Sequence, residues 1–337
     1  MKGDGVMRRQ RATHSLNVLA QSTLFTLFAL WALATSLPSC AQIYPTRPIR
    51  FIMPGAAGSS PDITARLIAA KLTESLGQAV LVENRGSATG IVGGEFVAKS
   101  APDGYTFLYP VNSIICANPH LYSKLPYDAL KSFVPVTQTV RFGYVMLGRA
   151  GSPVTDLRGL IAAAKAEPSK LNYGSGGLGV GNHVSMELFL ELTGTKMTHI
   201  PHRDSAVSVS SSETDVALVP YTTGVPLARA GKLRPLGVTL DKRLAALPDV
   251  PAISETVPGY IADAWHGVFA PAGTPGPIVE RVATEVARVL QQPDLRKRLI
   301  DLGLEPIGST PVEFAQAVAA DHDKWGQVIR KAGIKLD

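Results

Sequence analysis

Ile49-Arg50-Phe51-Ile52-Met53-Pro54-Gly55-Ala56-Ala57-Gly58-Ser59-Ser60-Pro61-Asp62-Ile63-Thr64-Ala65-Arg66 is the stretch on which the fold is decided. An apolar run suited to a strand stops at Pro54 and gives way to residues without bulky side chains. An amphipathic helix follows at once, with Ser60 placed to cap it and Pro61 at its first position. Such a loop leaves its backbone N–H groups bare. Together with the positive end of the helix dipole, those donors make a site for a carboxylate or another small anion.

Working towards the start of the chain, Lys2, Arg8, Arg9 and Arg11 form a basic head, 24–37 an apolar core, and Ser39-Cys40-Ala41 a small-residue cleavage site. The pattern is that of a cleaved secretory signal over 1–41, which predicts a periplasmic protein. A membrane anchor is the alternative, but 24–37 would span about 21 Å as a helix, short of a hydrocarbon core of about 30 Å. Leu37-Pro38-Ser39-Cys40 also resembles a lipobox, so lipid attachment at Cys40 is a second reading. Arg8-Arg9 lacks the apolar residue that a twin-arginine signal needs, and reads as ordinary head charge.

Taking Lys2, Arg8, Arg9, Arg11 and Asp4 from 33 basic and 27 acidic residues leaves 29 against 26, a near-neutral balance with no basic run interleaved with aromatics. No nucleic-acid partner is therefore expected. Cys116 is the single cysteine left, which excludes an intramolecular disulfide and reads as a small buried residue. About 296 residues remain, enough for two domains with full cores.

Working towards the other end, strand and helix signals alternate. Strands are expected at 49–53, 79–83, 105–109 and 171–173, an extended run over 134–147, a strand at 233–239 and an extended crossing at 260–270. Helices are expected at 62–76, closed by Gly77, at 95–99, 157–166, 183–192, closed by Gly194, and at 277–290, 295–302 and 311–332. Beyond Pro119 the chain reads as loop to Asp128. Alternation of this kind implies an α/β protein with parallel sheets wrapped by helices, whose ligands sit beyond the carboxyl ends of the strands.

A second loop has that chemistry: Gly174-Ser175-Gly176-Gly177-Leu178-Gly179-Val180-Gly181-Asn182, opening the helix near His183. Its glycines also match a dinucleotide fingerprint, with Asp204 downstream. The preceding strand is short and polar, however, and the helix starts after the third glycine, so no cofactor is expected. Ser175 lacks the first glycine of a nucleophile elbow. His199 and His202 flank Pro201, and His183 with Glu187 shares a helical face, but neither pair reaches three ligands, so no metal is expected. Asp62 reads equally as a helix-dipole partner and as an acceptor for a ligand amine or hydroxyl. Trp265, Trp325 and Tyr127 read as core or hinge aromatics.

The chain closely resembles the Bug family of periplasmic solute receptors, which includes receptors of tripartite tricarboxylate transporters. The resemblance runs from about Tyr44 onward. It is carried by Tyr44-Pro45-Thr46-Arg47-Pro48-Ile49-Arg50, Val82-Glu83-Asn84-Arg85, Ala101-Pro102-Asp103-Gly104-Tyr105-Thr106, Leu125-Pro126-Tyr127-Asp128, Lys170-Leu171-Asn172-Tyr173-Gly174-Ser175 and Phe269-Ala270-Pro271-Ala272-Gly273-Thr274-Pro275, in that order. It implies a type II periplasmic binding protein, a Venus flytrap of two α/β lobes joined by a two-stranded hinge, without catalytic activity. One lobe would comprise 42–142 with 263–337 and the other 143–262, with hinge crossings near 141–147 and 260–266. A small carboxylated metabolite, an organic acid or amino acid, would be held in the cleft and passed by a monomeric receptor to a membrane permease. The ligand loops implied are Gly55, Ala56, Ala57, Gly58, Ser59, Ser60 and Asp62 in one lobe and Ser175, Gly176, Gly177, Gly179, Asn182 and His183 in the other, with Asn112 and Ser113 as a third contact. A signalling receptor and an exported hydrolase using Ser175 are the alternatives.

Two departures from the family pattern fall on the second lobe. Ile200-Pro201-His202-Arg203-Asp204 stands where Val-Pro-Tyr-Lys-Gly is usual, and Pro220-Tyr221-Thr222-Thr223 lacks the usual carboxamide. Arg203 is therefore a candidate to grip an anion with its guanidinium. The serine and β-branched residues of 205–212 make poor helix and predict a loosened segment.

Overall fold

β1 (Ile49–Met53) runs into α1 (Ser60–Leu76) through the loop quoted above. The computed structural model describes residues 44–337 apart from 87, 88 and 203, so the signal at 1–41, Cys40 and the candidate Arg203 lie outside the described residues. Helix α1 starts two residues before the expected Asp62: Ser59 is the extended residue preceding it, at φ −69° and ψ 162°, and Ser60 is its first residue. Gly77 closes it in the left-handed conformation at φ 66°, which favours glycine.

β2 (Val80–Asn84), α2 (Ile91–Ala98) and β3 (Thr106–Leu108) continue the alternation, and β1 pairs in parallel with both strands. Two short helices follow, α3 (Asn112–Cys116) and α4 (Asn118–Leu121), the second reaching into the stretch expected as loop. The extended run expected over 134–147 is two strands in different sheets, β4 (Phe133–Phe142) and β5 (Tyr144–Arg149), divided at Gly143. A Cβ there would lie 2.7 Å from Thr239 Oγ1 and 3.0 Å from the Tyr221 ring, so the crossing needs a residue without one.

The chain then builds α5 (Leu157–Ala166), β6 (Asn172–Ser175), α6 (Gly181–Thr193), β7 (Thr198–Pro201), α7 (Ser205–Ser210), β8 (Val216–Pro220), α8 (Tyr221–Arg229) and β9 (Leu233–Val238). It returns through β10 (Ala264–Pro271) to α9 (Gly276–Leu290), α10 (Pro293–Asp301), β11 (Glu305–Pro306) and α11 (Pro311–Ala332). Two sheets result, ordered β11-β4-β10-β3-β1-β2 and β7-β6-β8-β5-β9.

The expectation of wholly parallel sheets is corrected: β10 is antiparallel to β3 and β4, and β5 to β8 and β9. β4 continues into β5 with no intervening helix, and β10 brings the chain back. Parallel pairing needs a crossover connection, so these connecting strands enter antiparallel while the βα units stay parallel. Segment 205–210 is also corrected, since it is helical. Asp204 Oδ1 accepts from the Ala206 N–H at 2.7 Å, and the Ser208 and Ser210 hydroxyls donate to the carbonyls of Ser205 and Ala206 at 2.9 and 2.6 Å. The cap and these internal partners offset poor propensity, and Ala206 and Val209 are buried.

Phe51, Phe107, Phe269 and Trp265 fill the interior of the six-stranded side, and Val145, Leu147, Val219 and Val238 that of the other. Burying each stabilises by about 1.5–3 kcal/mol. Cys116 is fully buried. Where the chain crosses between sheets, Arg141 on β4 binds Asp263 at 2.9 Å and Asp241 at 3.3 Å, and Lys324 on α11 reaches Asp263 at 3.4 Å. Among the described residues no helix is long and apolar enough to cross a membrane.

Candidate functional site

Both glycine-containing loops leave the carboxyl end of a parallel strand, β1 or β6, and run into the N-terminus of a helix, α1 or α6. Neither helix start is closed by a side-chain cap: Ser59 and Val180 stand at the cap positions without a side-chain hydrogen bond. In the first turns the His183 N–H donates to the Val180 carbonyl at 3.0 Å and Pro61 has no N–H. The remaining N–H groups have no partner within their own helix, so both ends carry positive potential.

In the first loop Ala56, Ala57 and Gly58 are exposed, and Ser59 folds back, its hydroxyl donating to the Ala56 carbonyl at 2.7 Å. Asp62 holds the loop from beneath. It is 3% exposed; one oxygen accepts from the Gly58 N–H at 2.9 Å and Arg66 Nε at 3.1 Å, the other from Asn84 Nδ2 at 2.9 Å. Burial raises its pKa, but the hydrogen bonds from Arg66, Gly58 and Asn84 outweigh this and hold the carboxyl below the usual carboxylate range. Asn84 also donates to the Gly55 carbonyl at 3.3 Å, and Ser60 Oγ is buried without a partner among the described residues. Arg66 lies one helical turn beyond Asp62, a spacing visible in sequence. Asn84 comes from the neighbouring strand, and only its place in a family motif marks it.

The second loop departs from the expectation of bare amides. The N–H groups of Gly176, Gly177 and Gly179 donate to Asn182 Oδ1, Ser175 Oγ and His183 Nδ1 at 3.2, 3.1 and 2.9 Å. Asn182 Nδ2 in turn donates to the Leu218 carbonyl at 2.9 Å. Gly177 and Gly179 have φ of 135° and 76°, which is why glycine occupies them. The candidates Ser175, Asn182 and His183 are thus brought together as the framework that shapes the loop, while Leu178 at its tip is 47% exposed.

Behind this loop stands an aromatic stack in which, of three rings, His183 alone was a candidate from the sequence. His199 lies 3.9 Å from His183 and 4.9 Å from Tyr173 between ring centroids, nearly parallel to both, and its Nε2 is 2.7 Å from Ser175 Oγ. The Tyr173 hydroxyl donates to Glu187. Burial lowers His183 to about 3, with His199 adding to the shift, and lowers His199 to about 4, so both rings are neutral at pH 7. Tyr173 and His199 are register partners on β6 and β7. No periodicity in one sequence reports a cross-strand pair, so the sequence set His199 beside His202 alone and not beside Tyr173.

Asn112 and Ser113 open α3, just beyond β3. Asn112 is 3% exposed; its Nδ2 lies 3.5 Å from the Asp263 carbonyl and its Oδ1 has no partner among the described residues. Both residues line a cavity of about 10 Å³ with Tyr144, Gly181, Ser185 and Trp325, at the lower limit for one water. The start of α6 and the loop after β3 therefore meet directly. Among the described residues no group of three or more His, Cys, Asp or Glu is placed to hold a metal ion.

Two sheets joined by crossing strands, with helix-opening loops at their carboxyl edges, define a two-lobed α/β periplasmic binding protein. Known structures share it. An adipate complex from R. palustris is 35% identical with a TM-score of 0.80 over 87% of this chain and 100% of that one. MatC of Rhodopseudomonas palustris with bound malate is 32% identical with a TM-score of 0.76 over 85% and 100%. The BugT protein of Bordetella pertussis is 32% identical over 306 residues, 89% of this chain and 93% of BugT. The model of the tripartite tricarboxylate transporter family receptor matches residues 64–334, and the chain belongs to that family. Its members are periplasmic solute-binding receptors rather than enzymes.

Proposed function

We propose that this chain binds a small organic acid, a dicarboxylate foremost, between its lobes and delivers it to a tripartite tricarboxylate-type permease. The observation that carries the reading is the pair of uncapped helix N-termini, α1 and α6, at the carboxyl edges of the two sheets. Adipate and malate in the two related structures support the ligand class. Gly55, Ala56, Ala57, Gly58, Ser59 and Ser60 line the anion site on one side. On the other, Gly176 and Gly177 let backbone approach the ligand, with Asn112 and Ser113 between. Asp62, Ser175, Gly179, Asn182 and His183 hold these loops in shape. The strands joined at Gly143 and the segment before β10 act as the hinge.

Ser175 and His199 do not make a hydrolytic pair. Ser175 is fully buried, its hydroxyl is shared with the Gly177 backbone, and His199 is stacked on rings instead of oriented by a carboxylate. The test is thermal unfolding of protein freed of prebound ligand by unfolding and refolding, against C3 to C6 carboxylates and amino acids. A true ligand at 100 times its Kd adds about 2.7 kcal/mol. No melting shift across the panel overturns the reading.

A further inference from the structure

The second glycine loop also rests on the other lobe at Gly179. Gly179 is buried at φ 76°, and a Cβ on it would lie 2.7 Å from Leu121 Cδ1 and 3.0 Å from Leu336 Cδ1. Leu121 ends α4. Leu336 belongs to the segment after α11, which turns back at Gly333, φ 66°. That segment is tied down twice. The Leu336 N–H donates to the Leu121 carbonyl at 2.9 Å, and the Asp337 carboxylate accepts from the Ser123 N–H at 2.9 and 2.7 Å and from its hydroxyl at 2.7 Å. These bonds hold the Asp337 carboxyl below its usual range. A turn away, Lys331 on α11 pairs with Glu191 on α6 at 2.6 Å, a second tie between the same lobes.

We propose that residues 334–337 form a strap that positions the second ligand loop, with Leu336 and Leu121 as the seat for Gly179 and Asp337 as the anchor that keeps Leu336 in place. Gly179 also donates to His183, so the strap bears on the framework that shapes 175–182. Its contribution to affinity rests on the function proposed above, whereas its effect on loop order does not.

Leu336→Ala and Asp337→Ala, with Leu336→Met as the conservative variant, are compared with the parent in the full chain. Amide hydrogen exchange over 176–182 is measured without ligand, and Kd is measured with adipate and with malate. Both alanine variants are expected to exchange at least fivefold faster in 176–182 alone, while Leu336→Met matches the parent and all melt alike. Affinity for whichever probe the parent binds falls at least fivefold. Unchanged exchange in Leu336→Ala overturns the strap. Faster exchange with no probe bound by the parent supports the strap and counts against the ligand class.

Discussion

At the residue scale, the glycines of the two loops do different work. Gly176 has no left-handed φ, and a Cβ on it would meet nothing nearer than 3.7 Å, so the fold itself leaves room for a side chain. Gly58 has equally open surroundings but sits at φ 78°, where any side chain is strained by about 1 kcal/mol. Gly176→Val is therefore expected to melt within a few degrees of the parent and to weaken carboxylate binding at least tenfold, checked by calorimetric titration; an unchanged Kd would place the ligand elsewhere. Gly58→Val is expected to lose stability as well as affinity.

At the scale of elements, the strand-loop-helix unit 49–76 was legible because each part has a local cause: an apolar run, residues too small to continue it, a proline tolerated in the first turn and a glycine to end it. What holds the loop was not legible. Asp62 read equally as a helix-dipole partner and as a ligand acceptor, neither of which is a brace for the loop, and its partner Asn84 comes from the next strand. Asp62→Ala would leave the Gly58 N–H, Arg66 and Asn84 without their common acceptor, and is expected to cost roughly 2 kcal/mol or more by urea denaturation. Stability equal to the parent would show that the loop holds itself. The same limit explains α7 and β8–α8. Propensity argued against helix at Ser205–Ser210, yet the Asp204 cap and the apolar floor beneath decided for it, and the start of α8 at Tyr221 carried no capping residue to reveal it.

At the scale of the whole molecule, the two-lobe organisation was legible from order and family motifs, but the antiparallel strands were not, because the crossing at Gly143 is a matter of which sheet a strand joins. One crossing strand, β10, buries His266 completely among Tyr109 and Phe142, with neither ring nitrogen partnered among the described residues, and burial lowers it to about 3. Its folded pKa lies below the unfolded value of about 6.5, so the unfolded chain takes up the proton first and stability falls as pH drops from 6.5 towards 3. Between pH 6.5 and 5 this amounts to about 2 kcal/mol. His183 and His199 act in the same direction. His266→Phe is expected to melt above the parent at pH 5 and to show a shallower decline from pH 7; identical slopes would mean that the ring is hydrated in solution. The open helix starts described above also bear on descent. A main-chain N–H is present whichever residue a codon specifies, proline apart, so mutation cannot readily erase the donors of α1 and α6. If the carboxylate is held there as proposed, lineages that inherit this scaffold can vary the side chains around the two helix starts without first losing their hold on it.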